Sequence, residues 1–208
     1  MAESFIQYWS GLFSNTGWVE YLAVLAGILS VFLSVRESVW LYPVGLFNTC
    51  LYVYISLQAH LPGEALVNSY YTIMSLAGWY AWSRKGEADV PLLKISFSTR
   101  RQVQRQVLFF LTVYGILFVA LQFSKESFFP GAIPWADALA SGAAFTAMWL
   151  MNQKKIECWY WWILTNLVSI PLYAAKGLAL TGIYYFILLL MAISGWQAWN
   201  KTLQSHER

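Results

Sequence analysis

Two indoles and a carboxamide recur at helical spacing in the run Glu157-Cys158-Trp159-Tyr160-Trp161-Trp162-Ile163-Leu164-Thr165-Asn166. Trp159, Trp162 and Asn166 stand at i, i+3 and i+7, so a helix projects all three from one face. Electron-rich rings beside one amide make a small box. The amide supplies the box with one directed hydrogen-bonding partner. A face turned to lipid has no use for the asparagine, and a plain packing face has no use for both tryptophans. Other neutral polar residues also lie inside apolar runs. Asn48 falls midway along one run. Asn68 and Tyr71 share a face of another, with Ser75 one turn on, and Tyr185 stands 117 residues after Asn68. Each could serve as interhelical glue, but recurrence at equivalent depth in two halves of the chain favours a binding role.

Enzyme chemistry finds no comparable pattern. Glu20, Asp137 and Glu157 lie where spans begin, and a carboxylate there gains from the helix dipole without any function. There is no Ser–His pairing, phosphate-binding glycine loop or metal-ligand cluster. His60 and His206 are the only histidines, both in polar segments, so no metal or cofactor is implied. Cys50 and Cys158 read as small packing residues. No acidic or basic residue sits in the centre of a span, which favours passive passage of a solute over ion coupling.

The elements that position these residues follow from composition. Of 208 residues, 59% are hydrophobic and 11% charged, against roughly 25% charged in a soluble domain. Repeated apolar runs of about 18 residues then read as membrane helices. Seven spans can be drawn: 18–35, 39–58, 65–82, 106–123, 135–152, 156–175 and 180–199. Residues 1–17 lack the pattern of a cleavable signal. Phe5, Ile6, Tyr8, Trp9, Leu12 and Phe13 suggest an interfacial amphipathic helix, with a frayed tail as the alternative. Pro43 falls in the first turn of span two. Pro171 lies inside span six, where it removes a hydrogen bond and could kink the helix. Thr165 or Ser169 could then serve the spare carbonyl near Leu167.

Charge orients the bundle. The loops near 36–38, 83–105 and 153–156 and the C-terminus hold eleven of the thirteen basic residues, leaving Lys125 and Lys176 for the other side. The positive-inside rule places the N-terminus outside and the C-terminus in the cytoplasm.

The chain also repeats. Trp18-Val19-Glu20 matches Trp135-Ala136-Asp137, and Gly78-Trp79-Tyr80-Ala81-Trp82 matches Gly195-Trp196-Gln197-Ala198-Trp199, each pair 117 residues apart. Asn48 precedes Asn166 by 118. The expected architecture is a single all-α integral membrane domain of 3+1+3 helices. Its parallel three-helix repeats (18–82 and 135–199) flank a connecting helix (106–123), with a site at their interface, as transporters are built. Trp79 and Trp196 read as interfacial belt residues, or alternatively as a gate packed on the adjacent glycines.

On Trp40-Leu41-Tyr42-Pro43-Val44-Gly45 with Asn48, Asn68-Ser69-Tyr70-Tyr71, the Glu157–Asn166 run and the two Gly-Trp motifs, the chain resembles the PnuC-type vitamin transporters over essentially its whole length. The resemblance implies a fold akin to the SWEET sugar transporters, a homotrimer, and facilitated diffusion across a bacterial inner membrane. It also implies trapping of the vitamin by phosphorylation, and no nucleic-acid partner. Family members divide among nicotinamide riboside, thiamin and riboflavin. Asn68 stands where the nicotinamide riboside group is expected to carry Gln, leaving that vitamin and thiamin both open. Both carry a flat delocalised cation, which suits Trp159 and Trp162 better than riboflavin does. Asn166, Asn48, Asn68 and Tyr71 would pair with the carboxamide and ribose hydroxyls. A membrane-embedded receptor is the alternative from another class, and predicts a lipid-facing Trp159/Trp162/Asn166 stripe.

Overall fold

The computed structural model describes residues 18–58, 62–86, 90–124 and 132–206. Among them the chain forms seven helices: α1 Trp18–Val35, α2 Leu41–Gln58, α3 Pro62–Ser83, α4 Arg100–Ser124, α5 Pro134–Met151, α6 Cys158–Ala175 and α7 Ala179–His206. The expectation for Phe5 to Phe13 lies outside the described residues. An 18-residue helix such as α1, α2, α5 or α6 extends about 27 Å, close to the roughly 30 Å hydrocarbon thickness. By length and mean hydropathy alone, the stretches able to cross a membrane are Arg100–Ser124 and Thr181–Ser205. The outward faces are nonetheless apolar throughout, with Leu25, Phe47, Ile73, Leu108, Leu111, Ile116 and Leu190 all exposed. Water would penalise such a surface and lipid would not.

Helix α4 starts six residues before the expected span. Thr99 and Gln102 form a reciprocal capping box. The Thr99 N–H donates to Gln102 Oε1 at 2.8 Å, and the Gln102 N–H to Thr99 Oγ1 at 3.4 Å, satisfying donors that a helix start leaves bare. Helix α5 opens on Pro134, and Asp137 Oδ2 accepts the Ile133 N–H at 2.7 Å. Its buried alanines (Ala136, Ala138, Ala140, Ala143, Ala144 and Ala147) make it thin enough to lie against α3, α4 and α6 at once. Helix α6 runs through Pro171. Thr165 does not serve the carbonyl that Pro171 frees; its hydroxyl donates to Ala140 O at 3.3 Å.

The helices pack as two groups of three with α4 beside the second. Helix α2 packs on α1 and α3, α6 packs on α5 and α7, and α4 packs on α5. The triplets meet where α1 touches α7 and α3 touches α5. Contact after contact recurs 117 residues on. Glu37 and Lys154 both take positive φ, 55° and 51°, and the next amides close the same turn, Ser38 N–H to Leu33 O and Lys155 N–H to Leu150 O. Tyr42 lies against Gly78 and Trp159 against Gly195, each so close that a Cβ on the glycine would collide with the ring. Trp82 Nε1 donates to Met151 O and Trp199 Nε1 to Ser34 O, both at 3.2 Å. Asn48 donates to Ala23 O at 2.6 Å, as Thr165 does to Ala140 O. The counterpart of Asn48 is therefore Thr165, and pairing it with Asn166 was one residue out.

Candidate functional site

A cavity of about 430 Å³ lies between the triplets, within the roughly 300–1,000 Å³ usual for small-molecule sites. Trp159, Trp162, Asn166, Asn48, Asn68, Tyr71 and Tyr185 all line it. They reach it because each triplet presents one face at i+3 or i+4 steps: Gly27, Ser30 and Ser34 on α1; Gly45, Asn48 and Tyr52 on α2; Asn68, Tyr71 and Ser75 on α3; Trp162, Asn166, Ser169 and Tyr173 on α6. Sequence reasoning missed Ser30, Thr49, Tyr52, Thr165, Tyr173 and Tyr184. The same periodicity pointed to several: Tyr52 is one turn past Asn48, and Tyr173 two turns past Asn166.

The two amides differ in what they are free to do. Asn48 is committed to the Ala23 carbonyl. Gly27 makes room for it, since a Cβ there would lie 3.2 Å from Asn48 Nδ2 and 2.7 Å from Tyr184 Oη. Asn166 is 3% exposed and lines the cavity, and its side-chain amide makes no hydrogen bond with a described residue. Its amide is available to a ligand.

Both indoles of the expected box line the cavity, but they are not equally accessible. Trp159 is 1% exposed, wedged against Gly195 and edge-on to Trp199 at 5.4 Å. Its Nε1 is buried without an acceptor among the described residues. It forms the floor of the cavity and leaves Trp162 as the half-buried indole along the wall. Tyrosines complete the lining: Tyr173 stacks on Tyr185 at 5.1 Å and 13°, and Tyr184 meets Tyr185 edge-on at 5.7 Å.

Trp79 and Trp196 are absent from the lining. Trp79 is 41% exposed on an outer surface with Leu76 and Tyr80, and Trp196 donates to the exposed Tyr160 hydroxyl at 3.0 Å. The glycines before them receive Tyr42 and Trp159 rather than these rings, so neither is packed on its glycine as the gate reading expected.

Charge is sparse. Asp137 is the one residue with a formal charge among the described residues lining the cavity. Its carboxylate is already paired with Lys176 at 2.6 Å and bonded to Ile133 N. At the end bearing the basic loops, the triplets are bolted together. Tyr42 Oη donates to Asn152 Oδ1 at 3.1 Å, and Asn152 Nδ2 to Met74 O at 2.7 Å. The Trp82 and Trp199 bonds and the Lys154–Glu37 ion pair at 3.1 Å join them there. A neutral, partly aromatic chamber with directed amides and hydroxyls, shut at its basic end, can hold a flat polar organic molecule. It offers no group to cleave one.

The family model described as "Nicotinamide mononucleotide transporter" matches residues 17–201. The chain belongs to this family. Like its relatives, this nicotinamide mononucleotide transporter family member is a membrane transporter and not an enzyme. It is 28% identical over 205 residues to the nicotinamide riboside transporter PnuC of Escherichia coli (strain K12), covering 89% of this chain and 86% of that one. It is also 28% identical over 184 residues to the riboflavin/roseoflavin transporter RibM of Streptomyces davaonensis, covering 88% and 84%. The solved crystal structure of the vitamin B3 transporter PnuC shares its fold, with a TM-score of 0.73 and 24% identity over 97% of this chain and 88% of that one.

Proposed function

We propose that the protein carries nicotinamide riboside into a bacterial cell by uniport across the inner membrane. The observation that carries this reading is the chamber in which Trp162, Asn166, Asn68, Tyr71 and Tyr185 converge between two triplets, its one described charged residue, Asp137, already paired with Lys176. A desolvated ring face attracts a pyridinium by about 0.5–2 kcal/mol, and the amides and hydroxyls suit a carboxamide and a ribose. A phosphate would find no cation among the described lining residues and would meet Asp137 instead, so the nucleoside fits better than the nucleotide. The described carboxylate at the cavity, Asp137, is held in an ion pair with Lys176, which suits uniport, and phosphorylation inside would make uptake one-way.

The paired contacts 117 residues apart support reading the single membrane domain as 3+1+3 parallel repeats of the SWEET kind. The basic loops support an N-terminus outside and a C-terminus in the cytoplasm. A homotrimer rests on the family resemblance. Thiamin is the second reading, favoured by the shorter Asn68. The inward Trp159 and Asn166 speak against a receptor with a lipid-facing stripe.

The test is uptake of labelled nicotinamide riboside, thiamin and riboflavin into liposomes holding the purified protein, with no ion gradient. Equilibration of nicotinamide riboside without accumulation is expected. Accumulation above the external concentration with no kinase inside would overturn uniport, and flux of thiamin alone would overturn the substrate.

A further inference from the structure

Lys154 is 7% exposed, a burial that lysine seldom accepts without a partner. Its ammonium has two: Glu37 Oε2 at 3.1 Å, and the face of Trp82 at 4.5 Å from the ring centroid. The pair crosses the pseudo-symmetry axis, since Glu37 and Lys154 are each other's counterparts. It also closes a door. Ser34 and Met151, three residues before each partner, line the cavity and are themselves tied across the halves by Trp199 and Trp82, so opening the cavity to the basic side requires Glu37 and Lys154 to separate along with these bonds. Such a pair has two comfortable states. Closed, each charge is neutralised; apart, both are hydrated; halfway, a desolvated charge stands alone. The buried Trp159 N–H, lacking an acceptor among the described residues, adds a cost to the closed state that hydration on opening removes.

The two sides of the door are not held alike. The 152–157 turn is strapped down by the segment before α4. Ser96 N–H donates to Lys154 O and Ile156 N–H to Ser96 O, both at 3.2 Å. Lys155 Nζ donates to Ser96 Oγ at 2.9 Å. The Glu157 carboxylate accepts the Ser98 N–H at 2.8 Å and its hydroxyl at 3.0 Å, while Gln106 of α4 donates to that hydroxyl at 2.6 Å. Ile95 is buried beside Ile156, and α4 itself packs on α5. Among the described residues, no hydrogen bond from this segment or from α4 reaches the 36–40 turn.

We propose that Lys154 is the latch of the cytoplasmic door, and that the door opens by movement of the 36–40 turn away from a strapped, stationary 152–157 turn. This rests on the carrier reading above and adds to it which half moves. A Ser34→Cys substitution supplies the probe site, labelled by a small membrane-impermeant methanethiosulfonate applied to the basic face of the full-length protein in membranes. The parent chain without it gives the background. Lys154→Met should raise the labelling rate at least about tenfold, since it strands a carboxylate that must then seek water. Glu37→Gln, on the half-exposed partner, should do the same and keeps the test alive if Lys154→Met fails to fold. Unchanged rates in the folded variants overturn the latch. Spin-label distances then assign the motion. The Ser38→Cys/Arg101→Cys pair should lengthen on adding Lys154→Met, while the Gln153→Cys/Arg101→Cys pair stays fixed; movement of the second pair as large as the first overturns the asymmetry. Both readouts use no substrate, so absent vitamin flux would sink the carrier reading and leave the latch to be judged on its own data.

Discussion

Gly195 lies directly against the benzo edge of Trp159, leaving no room for even a methyl group between α7 and α6. Gly78 does the same for Tyr42 and Asn152 between α3, α2 and α5. These close approaches allow each triplet to narrow at its basic end, where the cavity stops. Gly195→Ala must push a fully buried indole into Trp199, and overpacking of this kind costs about 1–3 kcal/mol. A clear fall in melting temperature is expected for Gly195→Ala and for Gly78→Ala. Gly115→Ala on α4, where a Cβ meets nothing within 4 Å, should be neutral or slightly stabilising. Equal losses at all three positions would mean that helix propensity, not contact, governs them.

Trp162 is the accessible indole of the cavity, and Trp159 is its floor. Trp162→Ala should weaken binding of nicotinamide riboside by about 2- to 30-fold, the range of a desolvated cation–π contact, with melting temperature little changed. Trp162→Phe should recover part of the loss. Trp159→Ala should chiefly lower stability, since it removes a side chain packed in the core. Calorimetric titration of the purified variants, with a melting curve for each, separates the two outcomes.

The two asparagines should part company in the same measurements. Asn48 already donates to Ala23 O, so Asn48→Ala is expected to cost stability of about 1 kcal/mol and leave affinity nearly intact. The Asn166 side-chain amide makes no bond with a described residue, so Asn166→Ala should spare the melting temperature and cost about 0.5–1.5 kcal/mol of binding. A reversed pattern would move the recognition role to the first triplet.

Much of this fold was legible because hydropathy and a period near 3.6 survive any choice of neighbours. The number and order of the described helices were visible from the apolar runs. Facing directions were legible too, since Trp162, Asn166, Asn68 and Tyr71 share one cavity. What eluded the sequence was partnership. Asn48 and Asn166 look equivalent until the bond to Ala23 O shows that Thr165 holds the matching place. Trp159 looks like a ligand face until Gly195 is seen to accept its edge. The early start of α4 was written in Thr99-Arg100-Arg101-Gln102, a capping box hidden by charges that hydropathy counts against a span.

Substrate charge gives the last expectation. Among the described residues the cavity lining holds one with a formal charge, Asp137, and that carboxylate is neutralised by Lys176 at 2.6 Å. Nicotinamide mononucleotide would bring a phosphate into this chamber without a guanidinium or ammonium to receive it, and an unpaired buried anion is strongly disfavoured. The nucleotide should therefore give no shift in melting temperature at concentrations where nicotinamide riboside gives a full one. The neutral dihydro form of the riboside keeps the carboxamide and ribose but loses the pyridinium, and should bind weaker than the cation by about 0.5–2 kcal/mol. The penalty for losing the charge should shrink when Trp162 is replaced by Ala, because the ring face that reads the charge is then gone. Equal affinities for the cation and its dihydro form in the parent protein would show that the chamber recognises shape and hydrogen bonding alone.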